Sequence, residues 1–407
     1  MEYISGFYSF VTNGVPSYTQ TCYDIKWGLE YWYSNVNDFS PQTFSKDLQK
    51  YALPYFEVKK DLAVIVGLAV LWTILRYALT FAVFQPIASW CQLRSVDAKK
   101  YPESAWKLLV YIHTWAFTCY VIFGLPQYNN IYYDTDSVWD DFESGMPIES
   151  TVYLLYMLQL SFYVHSIYGT ICMDAKRKDT LLMLFHHFLT ISLIGFSYAS
   201  RYHKIGLMVL FVHDVTDIAL EFTKVNVYFK NRGGQFHRLN EIMSNVGFVV
   251  FAICWYLFRL YWLPLKVLHS TGYSSMIRHQ QTNHLPFYLF FNIMLWILQG
   301  MNIYWFMFIL YFLFKVATGQ MTEVDDVRED EVVKEAMVKA RWVSLSLCYM
   351  SLSLCYVSLS LCYMFLSLCY VSLSLRYMFL SLRYMSFSLW YRFLSLCYIS
   401  PSLYVQI

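Results

Sequence analysis

Hydrophobic residues in this chain cluster in long runs separated by shorter polar stretches. Seven of these runs are long enough for a helix to cross a hydrocarbon layer, which takes roughly 20 residues. The runs cover residues 61–84, 107–125, 151–172, 181–199, 206–223, 244–264 and 286–316. The pattern therefore predicts an all-α, polytopic integral membrane protein with about seven transmembrane helices.

Charged residues are distributed unequally among the connections between the runs. The connections rich in Lys and Arg are 85–106, 173–180 and 224–243. Between them, 126–150 carries several acidic residues and neither Lys nor Arg. Because basic connections stay in the cytosol, we expect a lumenal N-terminus and a cytosolic C-terminus. The connection 265–285 is then lumenal, although it holds Lys266 and Arg278.

The composition agrees with a membrane protein. Of the 407 residues, 57% are hydrophobic and only 14% are charged, which lies outside the range of soluble globular proteins and excludes general disorder. The formal net charge of +2 gives no indication of a nucleic-acid partner. The cysteines form no CxxC pair or close Cys/His cluster, so neither a zinc site nor a disulfide framework is indicated.

The chain divides into five segments around these runs. Residues 1–60 are polar and mixed in charge and predict a lumenal N-terminal segment, so 61–84 is the first transmembrane anchor and the insertion signal. Residues 100–318 hold the remaining spans. Residues 319–341 predict an acidic cytosolic tail, and 342–407 a low-complexity tail.

The low-complexity tail consists of a seven-residue unit, SLSLCYM and its variants, repeated eight times between Ser344 and Ile399. The unit does not fit a coiled coil, because leucines two apart lie on opposite sides of a helix. It does not fit a strand either, because an odd period reverses the apolar face with each copy. Near-identity at all seven positions indicates an expanded DNA repeat. We interpret the tail as non-functional, with an additional span or an aggregation-prone segment as the alternatives.

Two of the runs contain ionisable groups, which are costly inside a bilayer and therefore indicate function. The fourth run holds His186, His187 and Thr190, and the fifth holds His213, Asp214, Asp217, Glu221 and Lys224. Spacings of three and four residues put each set on one face of its helix, with Asp214 at the flank. The short connection 200–205 predicts an antiparallel hairpin, in which the histidine pair faces Asp217.

An imidazole beside a carboxylate is suited to act as a general base or as a nucleophile. Polar contacts between helices are the structural alternative, and an i,i+3 ion pair would explain Glu221 and Lys224 equally well. The histidine boxes of the HxxxH and HxxHH types found in membrane hydroxylases do not occur. A single metal ion held by His186 or His187 with His213, Asp214 and Asp217 remains a further interpretation.

The run from Met183 to Tyr228, MLFHHFLTISLIGFSYASRYHKIGLMVLFVHDVTDIALEFTKVNVY, resembles the signature motif of ceramide synthases. These are multispan enzymes of the endoplasmic reticulum within the TLC-domain superfamily. The segments KKYPESAWKLLVY (Lys99 to Tyr111) and PFYLFFNIMLWILQGMNIYWF (Pro286 to Phe306) extend the resemblance, which covers roughly residues 60–331. It implies a six-helix TLC catalytic domain over 100–318 that encloses an intramembrane cavity.

The resemblance implies N-acylation of a sphingoid long-chain base by a fatty acyl-CoA, giving ceramide or dihydroceramide in the endoplasmic reticulum membrane. The acyl-CoA is a co-substrate, and no cofactor or metal is expected. The catalytic residues carried over are His186, His187, His213, Asp214 and Asp217. Candidate substrate-binding residues are Thr190, Glu221, Lys176, Arg177 and Lys178. The three basic residues would attract CoA phosphates, unless they serve only as a topology signal.

Three further expectations follow from the resemblance. The gap between the first two spans is too short for the homeobox-like insert of many vertebrate members, so the chain resembles the homeobox-lacking branch and is expected not to bind DNA. Homodimers or heterodimers with related synthases are implied, as are contacts with membrane lipids. The alternative function is a non-enzymatic TLC-domain protein that binds lipid or associates with the translocon.

Overall fold

The computed structural model describes residues 15–34, 41–140, 142–143, 145–175, 177, 179–282 and 285–318. Every regular element among these residues is a helix, as the sequence predicted. The acidic tail 319–341 and the repeat 342–407 lie outside the described residues. Their interpretation therefore stays a prediction.

Most of the helices are long and separated by short connections. In chain order they are α1 (Tyr18–Ser34), α2 (Pro41–Asp47), α3 (Val58–Trp90), α4 (Ser95–Gly124), α5 (150–173), α6 (Thr180–Ala199), α7 (His203–Phe229), α8 (Arg238–Thr282) and α9 (Tyr288–Ala317). Wider π-helical turns occur within four of them, at Thr80–Phe84, Tyr120–Gly124, Gly169–Met173, Trp255–Leu268 and Ser270–Ser274.

Each of the predicted spans falls on one of the helices from α3 to α9, although 107–125 runs one residue past α4 and 286–316 begins two residues before α9. Five of these helices, α3, α4, α6, α8 and α9, are long and apolar enough to cross a membrane. The other two helices carry more polar residues. Helix α7 carries Asp214, Asp217 and Glu221, and α5 carries Gln159, His165 and several tyrosines. The chain is therefore a multi-pass membrane protein.

Helix α8 is longer than the sequence predicted. The sixth span was expected to end at residue 264 and to be followed by a connection, but the helix continues to Thr282. It passes Pro264, which lacks a backbone N–H, within a π-helical stretch whose wider turns tolerate the missing bond. The residues beyond Pro264 are buried by tertiary contacts. Lys266 is only 1% exposed, and its Nζ donates to the Tyr132 carbonyl at 2.7 Å.

The acidic connection between α4 and α5 packs over this extension of α8. Tyr132 and Trp139 are buried in the main hydrophobic core, and the Trp139 indole N–H donates to Ser270 Oγ at 2.9 Å. Ser270 in turn donates to the Thr135 carbonyl at 2.9 Å. These contacts explain why Lys266 lies on the same side of the bundle as the acidic connection. Its ammonium group is buried in the protein and does not reach the surface.

Helix α7 lies at the centre of the bundle. It packs against α4, α8 and α6, while α3 packs on α5 and α9 packs on α8 and α6. The predicted hairpin of α6 and α7 forms with a very short turn, in which Arg201 adopts a left-handed backbone conformation (φ 67°). Such a residue ends a helix by reversing the chain direction. The ionisable groups of α6 and α7 are therefore held on neighbouring helices.

Gly206 is the point of closest approach between α7 and its neighbours. The Tyr156 hydroxyl donates to the His203 carbonyl at 3.0 Å and contacts Ser197 Oγ at 3.0 Å, so it crosses directly over Gly206. A Cβ atom at residue 206 would overlap this hydroxyl. The absence of a side chain at Gly206 thus permits the α5–α6–α7 contact.

We expect Gly206→Ala to lower the thermal unfolding midpoint of the detergent-solubilised protein, because overpacking a tight contact costs about 1–3 kcal/mol. Gly195→Ala is the matched control, since no neighbouring atom lies within 4 Å of a Cβ built there. Equal midpoints for the two variants would contradict the close contact.

Candidate active site

The bundle contains two cavities that share two lining residues. The outer chamber has a volume of about 520 Å³ and is lined by residues of α3 to α9. The inner chamber has a volume of about 60 Å³ and is lined mainly by apolar residues of α6, α7 and α9, with a few from α5 and α8. His186 and Tyr163 line both chambers. They therefore mark the boundary between a polar and an apolar compartment.

The structure distributes the predicted site residues between these chambers. The outer chamber is lined by His186, His187, Asp217, Glu221, Lys224 and Arg177. The inner chamber is lined by His186, Thr190 and His213. Asp214 is fully buried and lines neither chamber. Lys176 and Lys178 lie outside the described residues.

The histidine pair presents unbonded nitrogen atoms. His187 Nε2 bonds to Thr170 Oγ1 at 3.2 Å, and the His186 ring lies edge-on to Trp305 at a centroid distance of 5.4 Å. The Nδ1 atoms of both histidines are buried and have no hydrogen-bond partner among the described residues. A buried polar atom without a partner is costly. Both histidines line the outer chamber, so these atoms lie in the wall of a cavity.

Asp217 shares the outer chamber with the histidine pair, but its closest partner is a cation. The Asp217 carboxylate accepts a hydrogen bond from Arg259 Nη2 at 2.8 Å, where the sequence had predicted a facing imidazole. Arg259 also donates to the His213 carbonyl at 3.0 Å, and its guanidinium lies 4.1 Å from the centre of the Trp255 ring. The Nε atom of Arg259 has no partner in the described part of the chain.

His213 is held as a neutral imidazole of defined tautomer. Its Nδ1 lies 2.8 Å from the Val209 carbonyl, which can only accept, so Nδ1 carries the proton. Its Nε2 then accepts from Asn302 Nδ2 at 3.3 Å. Both ring nitrogens are thus engaged, in contrast to the histidine pair.

Asp214 is turned away from the chambers. Its Oδ2 accepts from Thr114 Oγ1 at 3.1 Å and from Gln159 Nε2 at 2.7 Å. These bonds tie α7 to α4 and α5. A role of Asp214 in the reaction stays a prediction, and the contacts give it a position between helices.

Thr190 and Glu221 make local contacts. Thr190 Oγ1 donates to the His186 carbonyl at 2.8 Å, one turn earlier on α6. Glu221 Oε1 pairs with Lys224 Nζ at 2.9 Å, which is the i,i+3 ion pair considered from the sequence. Glu221 Oε2 is buried without a partner among the residues that the structure describes. The ion pair therefore engages one carboxylate oxygen and leaves the other covered by neighbouring residues.

A network of buried charges lines the outer chamber near the connection between α5 and α6. Asp174 pairs with Arg76 at 2.5 Å and with Lys107 at 2.8 Å. Glu103 pairs with the same Lys107 at 2.7 Å and with Arg177 at 2.9 Å. The network joins α3, α4 and the connection after α5. One of the three expected CoA-binding cations, Arg177, is therefore already paired with a carboxylate.

Sequence reasoning missed most of the charged residues at the site. Arg76 and Arg259 lie within predicted spans, so the rule that singled out the fourth and fifth runs would have identified them as well. Glu103, Lys107 and Asp174 lie at or beyond span ends, where a charge gives no such signal. Among the residues that the structure describes, no group of three or more His, Cys, Asp or Glu side chains is arranged to hold a metal ion.

Comparisons with known proteins agree with the resemblance seen in the sequence. The model of the TLC domain family matches residues 100–311. Ceramide synthase 1 of Homo sapiens is 46% identical over 268 residues, which cover 66% of this chain and 75% of that protein. Ceramide synthase 1 of Mus musculus is 47% identical over the same length, with the same shares of both chains. Ceramide synthase LOH1 of Arabidopsis thaliana is 27% identical over 298 residues, 68% of this chain and 92% of that protein.

We expect Asp174→Asn to destabilise the folded protein by about 3–5 kcal/mol, because it leaves the buried guanidinium of Arg76 without its counter-charge and leaves Lys107 with Glu103 alone. Glu30→Gln is the control, since its ion pair with Lys26 is exposed and contributes little. Thermal unfolding of the detergent-solubilised variants measures the difference. A similar effect of both substitutions would contradict the buried network.

The effect of Asp174→Asn on stability should depend on pH. Burial alone would raise the pKa of Asp174, but Lys107 and Arg76 hold the pKa below its ordinary value. A carboxylate with a lowered pKa in the folded state stabilises the fold at neutral pH. That contribution is lost as the pH falls below about 4, the ordinary range of an aspartate. The difference between wild type and Asp174→Asn should therefore shrink at acidic pH.

Proposed function

Because this chain belongs to the ceramide synthase family of TLC-domain proteins, we propose that it N-acylates a sphingoid base with a fatty acyl-CoA. The product is ceramide or dihydroceramide. The observation that carries this proposal is the position of His186 at the boundary of the two chambers, with an unbonded ring nitrogen. An acyl transferase needs a reactive group between a polar donor site and an apolar acyl site.

The two chambers have different linings, and these match the two ends of an acyl-CoA. Basic side chains line the outer chamber, among them Arg94, Lys100 and Lys107, and these are suited to the phosphates of CoA. Apolar side chains of α6 and α7, including Leu193, Ile194 and Leu210, line the inner chamber. The inner chamber extends from His186 to Ser197 along α6, about 16 Å at the rise of a helix. We assign it to the acyl chain, which must displace side chains of these walls to enter, because a volume of about 60 Å³ holds only about two water molecules.

The proposed reaction proceeds in two steps through His186. A ring nitrogen of the imidazole attacks the thioester carbonyl carbon and the C–S bond breaks. The imidazole loses its N–H proton to the CoA thiolate, which leaves as the thiol. The amine of the sphingoid base then attacks the acyl-imidazole, the C–N bond to the histidine breaks, and the amine loses a proton to the regenerated imidazole. His187 is placed beside His186, at a ring-centroid distance of 5.8 Å, and we assign it to these proton transfers.

Arg259 is proposed to stabilise the negative charge on the carbonyl oxygen during both steps. Its free Nε–H is a buried donor, and its guanidinium is oriented by Asp217 and Trp255. A donor that is fixed before the reaction stabilises an oxyanion without reorganisation. Asp217 then orients Arg259 and, through it, the Nε–H donor proposed to bind the oxyanion. His213 and Asp214 hold α7 against α9, α4 and α5.

We also propose the location and the assembly of the protein. The alternation of basic and acidic connections supports a lumenal N-terminus, a cytosolic C-terminus and access of acyl-CoA from the cytosol. Residence in the endoplasmic reticulum and pairing with another synthase are proposed on family membership alone. Lys176 and Lys178, with Arg177, remain candidates for the CoA phosphates.

We expect His187→Ala to lower ceramide formation by a factor of about 10²–10⁴, the usual size of a general acid–base contribution. We expect Asp217→Ala to lower it by about 10²–10³, because it releases the Arg259 donor proposed for the oxyanion. The measurement is product formation from a sphingoid base and acyl-CoA in membranes that contain equal amounts of each variant. His113→Ala is the control, because His113 is exposed and bonds within its own helix to Leu109. Full activity in the two site variants would refute the site, and no product from wild type would refute the enzyme.

The two-step route makes a separate prediction. Without a sphingoid base, radiolabelled acyl-CoA should transfer about one acyl group to each wild-type chain, because the acyl-imidazole has no acceptor. Addition of the base should release the label as ceramide. His186→Ala should remain unlabelled, while His113→Ala should be labelled like wild type. An unlabelled wild-type protein with full turnover would instead support direct attack of the amine, with a histidine as general base.

A further inference from the structure

Helix α1 lies against α8 from Leu260 into the extension beyond Pro264. Three side-chain hydrogen bonds connect the two helices, at distances of 2.9, 3.0 and 3.2 Å. These contacts join Tyr18 to Leu260, Asp24 to His269, and Tyr31 to His279. Because the residue numbers rise together in both helices, α1 and this part of α8 run parallel.

The closest approach of the two helices is at a pair of glycines. A Cβ atom on Gly28 would overlap the backbone oxygen of Gly272. Next to it, the rings of Trp27 and Tyr273 meet edge to face at 5.4 Å. The Gly272 oxygen also accepts a hydrogen bond from the Tyr288 hydroxyl of α9 at 3.0 Å. Residues 269–275 of α8 are thus held between α1 and α9.

The same stretch of α8 forms part of the wall of the inner chamber. Thr271 and Ser275 line this chamber, one on each side of the residues that contact α1. The Thr271 carbonyl accepts from Asn292 Nδ2 at 3.0 Å, and Asn292 also lines the chamber. Only the thickness of one helix therefore separates α1 from the inner chamber.

We propose that α1 is a specificity-determining element, which sets the acyl chains that the inner chamber accepts by fixing the position of this wall. The inference rests on the proposed function, because it assigns the acyl chain to that chamber. Protein interiors are close-packed, so a displacement at Gly28 is transmitted through Gly272 to Thr271 and Ser275. One methylene group in an apolar pocket changes the preference between two substrates by about 10-fold or more.

The test is a panel of saturated acyl-CoAs of increasing length, assayed with one sphingoid base and full-length protein in membranes. Gly28→Ala inserts a methyl group at the glycine contact, and Gly67→Ala is its control, because no atom lies within 4 Å of a Cβ at Gly67. We expect Gly28→Ala to change the ratio of rates for the two chains that flank the wild-type optimum by on the order of tenfold. Gly67→Ala should keep the wild-type ratio.

A second variant covers the case in which Gly28→Ala does not accumulate. Trp27→Ala removes the ring contact with Tyr273 without inserting an atom, and Trp90→Ala is its control, since Trp90 is 85% exposed. Because Trp27→Ala frees residues 269–275 of α8, it should also change the ratio of rates for the two acyl chains. A loss of overall activity with an unchanged ratio would show a structural role only and would overturn the inference. An unchanged ratio alongside normal ceramide synthesis would overturn it while leaving the proposed function intact. No ceramide from wild type would overturn both.

Discussion

Ionised side chains in a membrane-spanning bundle must be matched by opposite charges, because the hydrocarbon offers them no solvation. In this protein the pairs Arg259–Asp217 and Arg76–Asp174 meet that requirement between segments far apart in the chain. The first pair joins α8 to α7, and the second joins α3 to the connection after α5. Their geometry sets the distances between these helices. These four paired residues all line the cavity that holds the histidine pair.

The division into two chambers follows from where those charges lie. They surround the outer chamber, while the inner chamber is bounded chiefly by apolar side chains of α6, α7 and α9. A phosphorylated, water-soluble group and an alkyl chain would each find a matching surface on one side of His186. Water excluded from the apolar side would spare a reactive acyl intermediate from hydrolysis. The chemistry open to the histidine pair therefore depends on the charged chamber and the apolar chamber beside it as much as on its own contacts.

Local patterns in the sequence were sufficient for helices α3 to α9, for the α6–α7 hairpin and for the Glu221–Lys224 pair, since hydropathy and helical spacing determine these features. They did not predict α1 and α2, which lie in the polar segment 1–60. They were not sufficient for the extension of α8. Residues 265–282 contain many polar side chains, and only their tertiary burial, as for Lys266 against Tyr132, makes them a wall of the protein. The pairing of Asp217 with Arg259 is likewise a contact over 42 residues. Spacing on α7 did not distinguish Asp217, which lines a chamber, from Asp214, which faces Thr114 and Gln159.

The π-helical stretches of α8 have a consequence for how this wall can change. A π-turn accommodates one residue more than an α-turn while the helix on either side continues. Insertion or deletion of a single residue within Trp255–Leu268 is therefore absorbed as a change between a π-turn and an α-turn, without the rotation of about 100° that one residue adds in an α-helix. Thr271 and Ser275 would keep their places in the chamber wall. The wall thus tolerates a change in chain length that a purely α-helical wall would not.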